Sequence, residues 1–229
     1  MAPFLNLVER KLGVVQALAK GECGGSYSDA CILTSGIVSG IAADLWPGEG
    51  IDKKRFVEVW ARHADPAVSP SLISTPLLVD RLRRDGRVRE AATIEALRPL
   101  AFGPGYQTRV VTSADVDMLE HEIRAVCPQL VPSNVRAYSY PAVFYRHVRS
   151  ALVHEYHLGD EATTWPMIER ETSVSYANIV DWKDQSRQFR QIHYHIPWLL
   201  EVVRSIAAST QTVLESAPLP HPSPWWIEG

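Results

Sequence analysis

The chain has 229 residues, 46% of them hydrophobic, which is enough for one sizeable core and at most a small appendage. Charged residues make up 21%, the formal net charge is −3 and the sequence pI is about 6.2. A protein that coats duplex nucleic acid without sequence preference is usually basic, so that class is excluded and any nucleic-acid role has to rest on a local patch.

Residues 3–19 read as a first helix, with Leu5, Val8, Leu12, Val15 and Leu18 at helical spacing. Glu9, Arg10 and Lys11 interrupt it, which is not the basic-then-apolar order of a signal peptide. Glycines at 21, 24 and 25 break the chain, and Ser26 or Ser28 caps the next element. That element, 27–46, is apolar almost all round and belongs in the middle of a core. Its Gly36 and Gly40 read as points of close helix packing. Its Asp29 and Asp44 either orient Arg149, since a buried carboxylate needs a partner, or serve as helix caps or surface charges. Asp52 is expected to cap a helix through 64 that turns Phe56, Val57 and Trp60 inward.

The stretch 65–106 is punctuated by proline. Short helices are expected near 74–85 and 88–97, with loops around Pro70 and around Gly103-Pro104-Gly105. The latter is a turn and not a phosphate loop, since no Lys-Ser or Lys-Thr follows. Arg81, Arg83, Arg84, Arg87 and Arg89 form the strongest basic run, diluted by Asp80, Asp85 and Glu90. It is a solvated helix end or a track for the phosphates of a single strand. Ser113 is expected to cap a helix to 127, with Asp115 and Asp117 suiting the dipole in its first turn and Pro128 and Pro132 stopping it. Residues 138–157 read as a further helix. Beyond Gly159 the runs 163–168, 173–180 and 188–196 are β-prone and predict a hairpin or a three-stranded patch. Pro197 suits the first turn of a last helix to about residue 214.

The fold expected is therefore mainly α, one helical domain over 1–215 with a small β appendage before the last helix, and a proline-rich tail over 216–229. Trp225 and Trp226 in that tail dock on the body or on a partner. The three cysteines, Cys23, Cys31 and Cys127, are odd in number and lack Cys-x-x-Cys spacing. That argues against a disulfide framework and a zinc knuckle, and Cys31 and Cys127 read as core thiols. No membrane span is expected, and a cytoplasmic location follows.

The chemistry concentrates in 138–157. On a helical wheel, Tyr145, Val148, Ala151 and Leu152 form a core face, while Arg146, His147, Ser150, His154 and His157 gather roughly opposite, with Arg149 on the flank. Either this is a solvated helix face or it is a phosphodiester site. Arginine offers a planar fork of donors for two phosphate oxygens, and histidine moves protons near neutral pH. His154-Glu155-Tyr156-His157 is one residue short of the zinc-protease pattern His-Glu-x-x-His. His193 and His195 are a polar strand face, a metal-chelating pair, or further contacts to a phosphate.

Arg149-Ser150-Ala151-Leu152-Val153-His154 resembles the Arg-x4–6-His motif of the HEPN superfamily, and the wider string 144–156 looks like that family's motif helix. The resemblance implies a helical bundle and a dimeric, metal-independent endoribonuclease without a cofactor, used as a toxin or defence effector. Its implied partners are RNA, a second copy of the chain, and an antitoxin or activating protein. Arg149 and His154 would be catalytic, with Arg146, His147, Ser150, His157, His193 and His195 contacting RNA. A non-catalytic HEPN-like module that binds RNA, a nucleotide or a protein is the alternative. Two features depart from the family pattern: Ser150 follows the arginine where Asn, Asp or His is common, and a β-prone insertion separates the last two long helices.

Overall fold

The computed structural model describes residues 3–68, 71–102, 110–164, 173–180, 188–215, 219 and 221–228. Helices α1 (Pro3–Ala19), α2 (Tyr27–Leu45) and α3 (Asp52–His63) pack with the last helix, α12 (Ile196–Leu214), into the main bundle. Ser26 caps α2, its hydroxyl accepting from the Asp29 N–H at 3.3 Å. Asp52 is the first residue of α3, and Ile51 holds the cap position. Asp52 instead complements the helix dipole and pairs with Arg55. By length and composition α2 could cross a membrane; it lies at the centre of the bundle, with Ala30, Cys31, Val38, Ile41 and Ala42 buried. Gly36 and Gly40 depart from expectation. Both are exposed, and a Cβ at either would meet nothing within 4 Å, so no helix among the described residues packs closely there.

Helices α4 (Thr75–Arg84), α5 (Val88–Glu95) and the short α6 (Pro99–Phe102) follow. The turns expected at Pro70 and at Gly103-Pro104-Gly105 lie outside the described residues. The helix expected over 113–127 is two helices, α7 (Ser113–Val116) and α8 (Glu120–Val126). Thr112 rather than Ser113 is the cap, because the Asp115 carboxylate accepts from the Thr112 N–H at 3.0 Å. The break falls at Asp117, whose side chain is taken into the core, and at Met118, whose carbonyl accepts from the Ile73 N–H at 2.9 Å. Pro132 opens the next helix, α9 (Pro132–Arg136), where its missing N–H costs nothing.

The β appendage is an antiparallel sheet in the order β1 (Val111–Thr112), β2 (Val174–Val180), β3 (Gln188–Tyr194). Strands β2 and β3 are the expected hairpin, with Val174 opposite Tyr194 and Tyr176 opposite Ile192, all buried on one face. Of the β-prone run 163–168, residues 165–168 lie outside the described residues; the third strand of the described sheet is β1, with Val111 opposite Tyr176. Ala162 forms an isolated parallel bridge to Ile192.

The segment 138–157 folds as one rod, shorter than expected and not purely α-helical. Helix α10 (Tyr140–Phe144) leads into a π-helical turn (Tyr145–Ser150) and then α11 (Ala151–Glu155). Residue 138 stays outside because its carbonyl accepts from the Ser74 N–H at 2.8 Å. Under the rod, Phe144 stacks on Phe56 at 6.3 Å and meets Tyr194 edge-on at 5.0 Å, with Trp60 at 5.5 Å. Such aromatic contacts hold a helix more tightly than area alone, by ~0.5–1.5 kcal/mol a pair. Trp225 and Trp226 dock on the body. Trp225 meets Trp46 edge-on at 5.7 Å, and the Trp226 N–H donates to the buried Glu58 carboxylate at 2.6 Å.

Candidate functional site

The rod is anchored from below at its start. Tyr140 donates its hydroxyl to Asp117 at 2.5 Å, Tyr176 does the same at 2.8 Å, and the Thr75 N–H donates at 3.0 Å. Burial raises the Asp117 carboxyl to about 7, even with these three donors pulling it down. In turn the Tyr140 carbonyl accepts from the Tyr194 hydroxyl at 2.9 Å. One buried acid therefore ties α4, α10 and β2 together and sets where the rod begins. Further along, Val148 and Leu152 are each 1% exposed, with Ala151 buried beside them, as the wheel requires.

On the outer side, Arg149 is half-buried with its guanidinium 5.1 Å over the Tyr145 ring. Among the described residues it has no carboxylate partner. His154, five residues on, is exposed, with no hydrogen bond or ion pair among the described residues. Arg146 is exposed and lies 5.9 Å over the Tyr138 ring, without an ion pair among the described residues. Ser150 is half-buried. The helix ends at Tyr156, which adopts a left-handed backbone (φ 58°) and leaves its ring 86% exposed, two residues after His154. A non-glycine residue in this conformation is disfavoured by ~1 kcal/mol, and such residues cluster where function needs them.

Two residues expected on this face are engaged elsewhere. His147 turns to a flank, its side chain 15% exposed, with Nε2 3.1 Å from Glu161 Oε2. The contact lies off the line of a good hydrogen bond. The chain returning from the rod creates this arrangement: the Gly159 N–H donates to the His147 carbonyl at 2.8 Å, and a Cβ on Gly159 would lie 2.7 Å from His147 Nδ1. Glu161 also receives Arg84 at 2.5 Å. Burial alone would raise the Glu161 carboxyl, but His147 and Arg84 outweigh it and hold it at about 2. His157 lies beyond the helix end, where it pairs with Glu155 at 3.0 Å and donates to the Leu158 carbonyl at 2.8 Å.

His193 lies on the other face of β3 from Ile192 and Tyr194, and His195 follows the strand as the cap residue of α12. His193 stacks on Tyr27 at 4.6 Å and donates Nδ1–H to the Thr163 carbonyl at 3.1 Å. His195 Nε2 lies 3.1 Å from Ser175 Oγ. Burial lowers both, His195 to about 4, so they are neutral at pH 7 and bring no positive charge to a phosphate. Among the described residues no hydrogen bond, ion pair or ring contact joins them to Arg149 or His154, and no third His, Cys, Asp or Glu completes a metal-binding group. Asp29 and Asp44 are exposed, Asp29 hydrogen-bonded to Ser26, and neither orients Arg149.

The arrangement thus brings Arg146, Arg149, Ser150, His154 and Tyr156 to one exposed rod, and sends His147, His193 and His195 to supporting contacts. Asp117, Glu161 and Gly159 carry much of that support. Their partners lie tens of residues away or depend on the return of the chain, so no local pattern marks them. No known protein family, characterised protein or solved structure matches the chain.

Proposed function

We propose that the chain is a metal-independent endoribonuclease of HEPN type that works as a dimer. The observation that carries this reading is the pairing of an arginine and a histidine, Arg149 and His154, on the outer side of a rod whose inner side is locked in the core. Neither is neutralised by a carboxylate among the described residues. A guanidinium left without an acidic partner is available for a phosphate oxygen.

In the reaction, the RNA 2′-hydroxyl attacks the adjacent phosphorus and the 5′-oxygen leaves. His154 moves the proton, and Arg149 holds the phosphate and stabilises the charge that develops on its oxygens. Positions five apart on an α-helix diverge by about 140°. The π-turn ends at Ser150, so most of the span from Arg149 to His154 keeps that divergence. Two rods about a twofold axis, the commonest oligomer symmetry, place Arg149 of one beside His154 of the other. The exposed Tyr156 ring adds a face on which an unpaired base stacks.

Mixing subunits tests both the chemistry and the dimer. Arg149→Ala and His154→Ala proteins are each expected to be inactive, and a mixture regains part of the wild-type rate because the heterodimer contains one intact composite site. A mixture as inactive as its components removes the composite site. A second reading is a non-catalytic HEPN-like module that binds RNA. It is favoured by one observation: nothing among the described residues orients the His154 ring, whereas a catalytic histidine is usually held by a second group. Wild-type protein that binds RNA without cutting it selects that reading.

A further inference from the structure

The basic run at the end of α4 is sorted by the fold into two sets. Arg83 pairs with Glu95 at 2.6 Å and Arg87 with Glu90 at 2.8 Å, both on the side of α5. Arg81 and Arg84, three apart and therefore on one face, turn the other way, toward the rod. Arg84 reaches Glu161, which also contacts His147 of the rod, so a single carboxylate bridges the two elements. Arg146 lies over Tyr138, and the charges of Arg146, Arg81 and Arg84 all act on the Tyr138 hydroxyl. Lys53, at the start of α3, is exposed and feels the positive charge of Arg146.

Lys53, Arg81, Arg84 and Arg146 therefore share one side of the molecule, and Arg149 follows three residues beyond Arg146 on the rod; Asp85 and Glu161 are paired into the set, and Asp80 and Glu228 act on Arg84 and Lys53. In a chain of net charge −3 this concentration is local, which leaves the remaining surface more acidic still. Arg146 and Lys53 have no ion pair among the described residues, and the Arg81–Asp85 pair is exposed, 53% and 42%, so it exchanges readily for another anion.

We infer that this surface is a track for the phosphate backbone of an RNA strand, running from Arg149 over Arg146 and Tyr138 to Arg81 and Arg84, with Lys53 at its flank. It rests on the ribonuclease reading for the identity of the polyanion. It extends that reading by giving the strand a direction away from the motif and a second element, α4, that the motif does not include. Glu161, in contact with both Arg84 and His147, links the track to the rod.

The experiment measures binding of a fluorescent oligouridylate in the His154→Ala background, so that cleavage does not intervene. Arg81→Gln and Arg146→Gln are expected to weaken binding and each to lower the slope of log Kd against log salt by about 0.7. Asp85→Asn, which releases Arg81, is expected to tighten binding. Arg10→Gln, on α1, is expected to change nothing. Circular dichroism confirms that each variant is folded. If Arg81→Gln, Arg146→Gln and Asp85→Asn all leave the affinity and the salt slope of the parent unchanged, or if the parent binds no RNA at low salt, the track is overturned. Cleavage by the otherwise wild-type protein is scored separately: cutting with an unchanged salt slope removes the track and keeps the ribonuclease, and binding along the track without cutting does the reverse.

Discussion

Replacing Asp117 by asparagine should change how stability depends on pH, in a direction opposite to that of most carboxylates. The folded-state value of Asp117 is raised from 3.8 to about 7 by burial. Between those values the folded chain holds a proton that the unfolded chain has lost. Its contribution is therefore fully present below about pH 4 and is lost as pH rises through about 7, with a slope near −1.4 kcal/mol per unit. The shift of about three units amounts to ~4 kcal/mol over the whole range. Other groups act in the same window with the opposite sign. His195, lowered to about 4 by burial and by His193, together with His193 and His63, stabilises the fold at neutral pH and loses that contribution as pH falls below about 6.5. The wild-type profile alone thus mixes the two effects, and the difference between wild type and Asp117→Asn isolates one. The amide keeps an acceptor for Tyr140 and Tyr176, and the bond from the Thr75 N–H is lost at every pH. Urea unfolding of both proteins from about pH 4 to pH 8 should show the wild-type advantage shrinking by several kcal/mol. A difference that stays flat across that range would refute the reasoning.

Glu161→Gln should lower stability at pH 7 by ~1–2 kcal/mol, a figure already reduced for solvent screening. Because its folded value is depressed to about 2 from 4.5, the loss should disappear as pH falls through that interval, as unfolding at pH 7 and near pH 2 would show. Gly36→Ala and Gly40→Ala should each stabilise the chain by ~0.5–1 kcal/mol, since the added methyl meets nothing and glycine is a poor helix former. Thermal unfolding at higher protein concentration that instead shows a loss would mean another chain covers that face. Tyr156→Gly should raise stability by ~1 kcal/mol by relieving the left-handed backbone, while weakening RNA binding by ~5- to 100-fold through the lost stacking face. A calorimetric scan and a binding titration on the same sample separate the two effects.

The long helices are legible because their packing is periodic. The spacing of Val8, Leu12 and Val15, the all-round apolar character of 27–45, and Val148 with Leu152 each declare an inner face that the structure buries. The β2–β3 hairpin is legible for the same reason. What escapes is set by contacts that a local pattern does not encode. A wheel at 100° per residue sends His147 outward, but it includes neither the π-turn nor the return at Gly159 that turns His147 to Glu161. Asp117 reads as a first-turn acid until Tyr140 and Tyr176, 23 and 59 residues away, claim it. The two-residue β1 is too short to carry a period, and Gly36 and Gly40 suggest close packing only until the position of the neighbouring helices is known. At the candidate site, Arg149 and His154 are found from their spacing, whereas the alliance of Arg81 and Arg84 with Arg146 depends on how α4 meets the rod.

The most direct measurement is incubation of purified protein with a mixed RNA pool in EDTA, beside the His154→Ala variant. The wild type is expected to cut without metal, leaving the 2′,3′-cyclic ends that attack by the 2′-hydroxyl produces, and His154→Ala is expected not to cut. Undiminished cutting by His154→Ala, or no cutting by either protein, would contradict the ribonuclease reading.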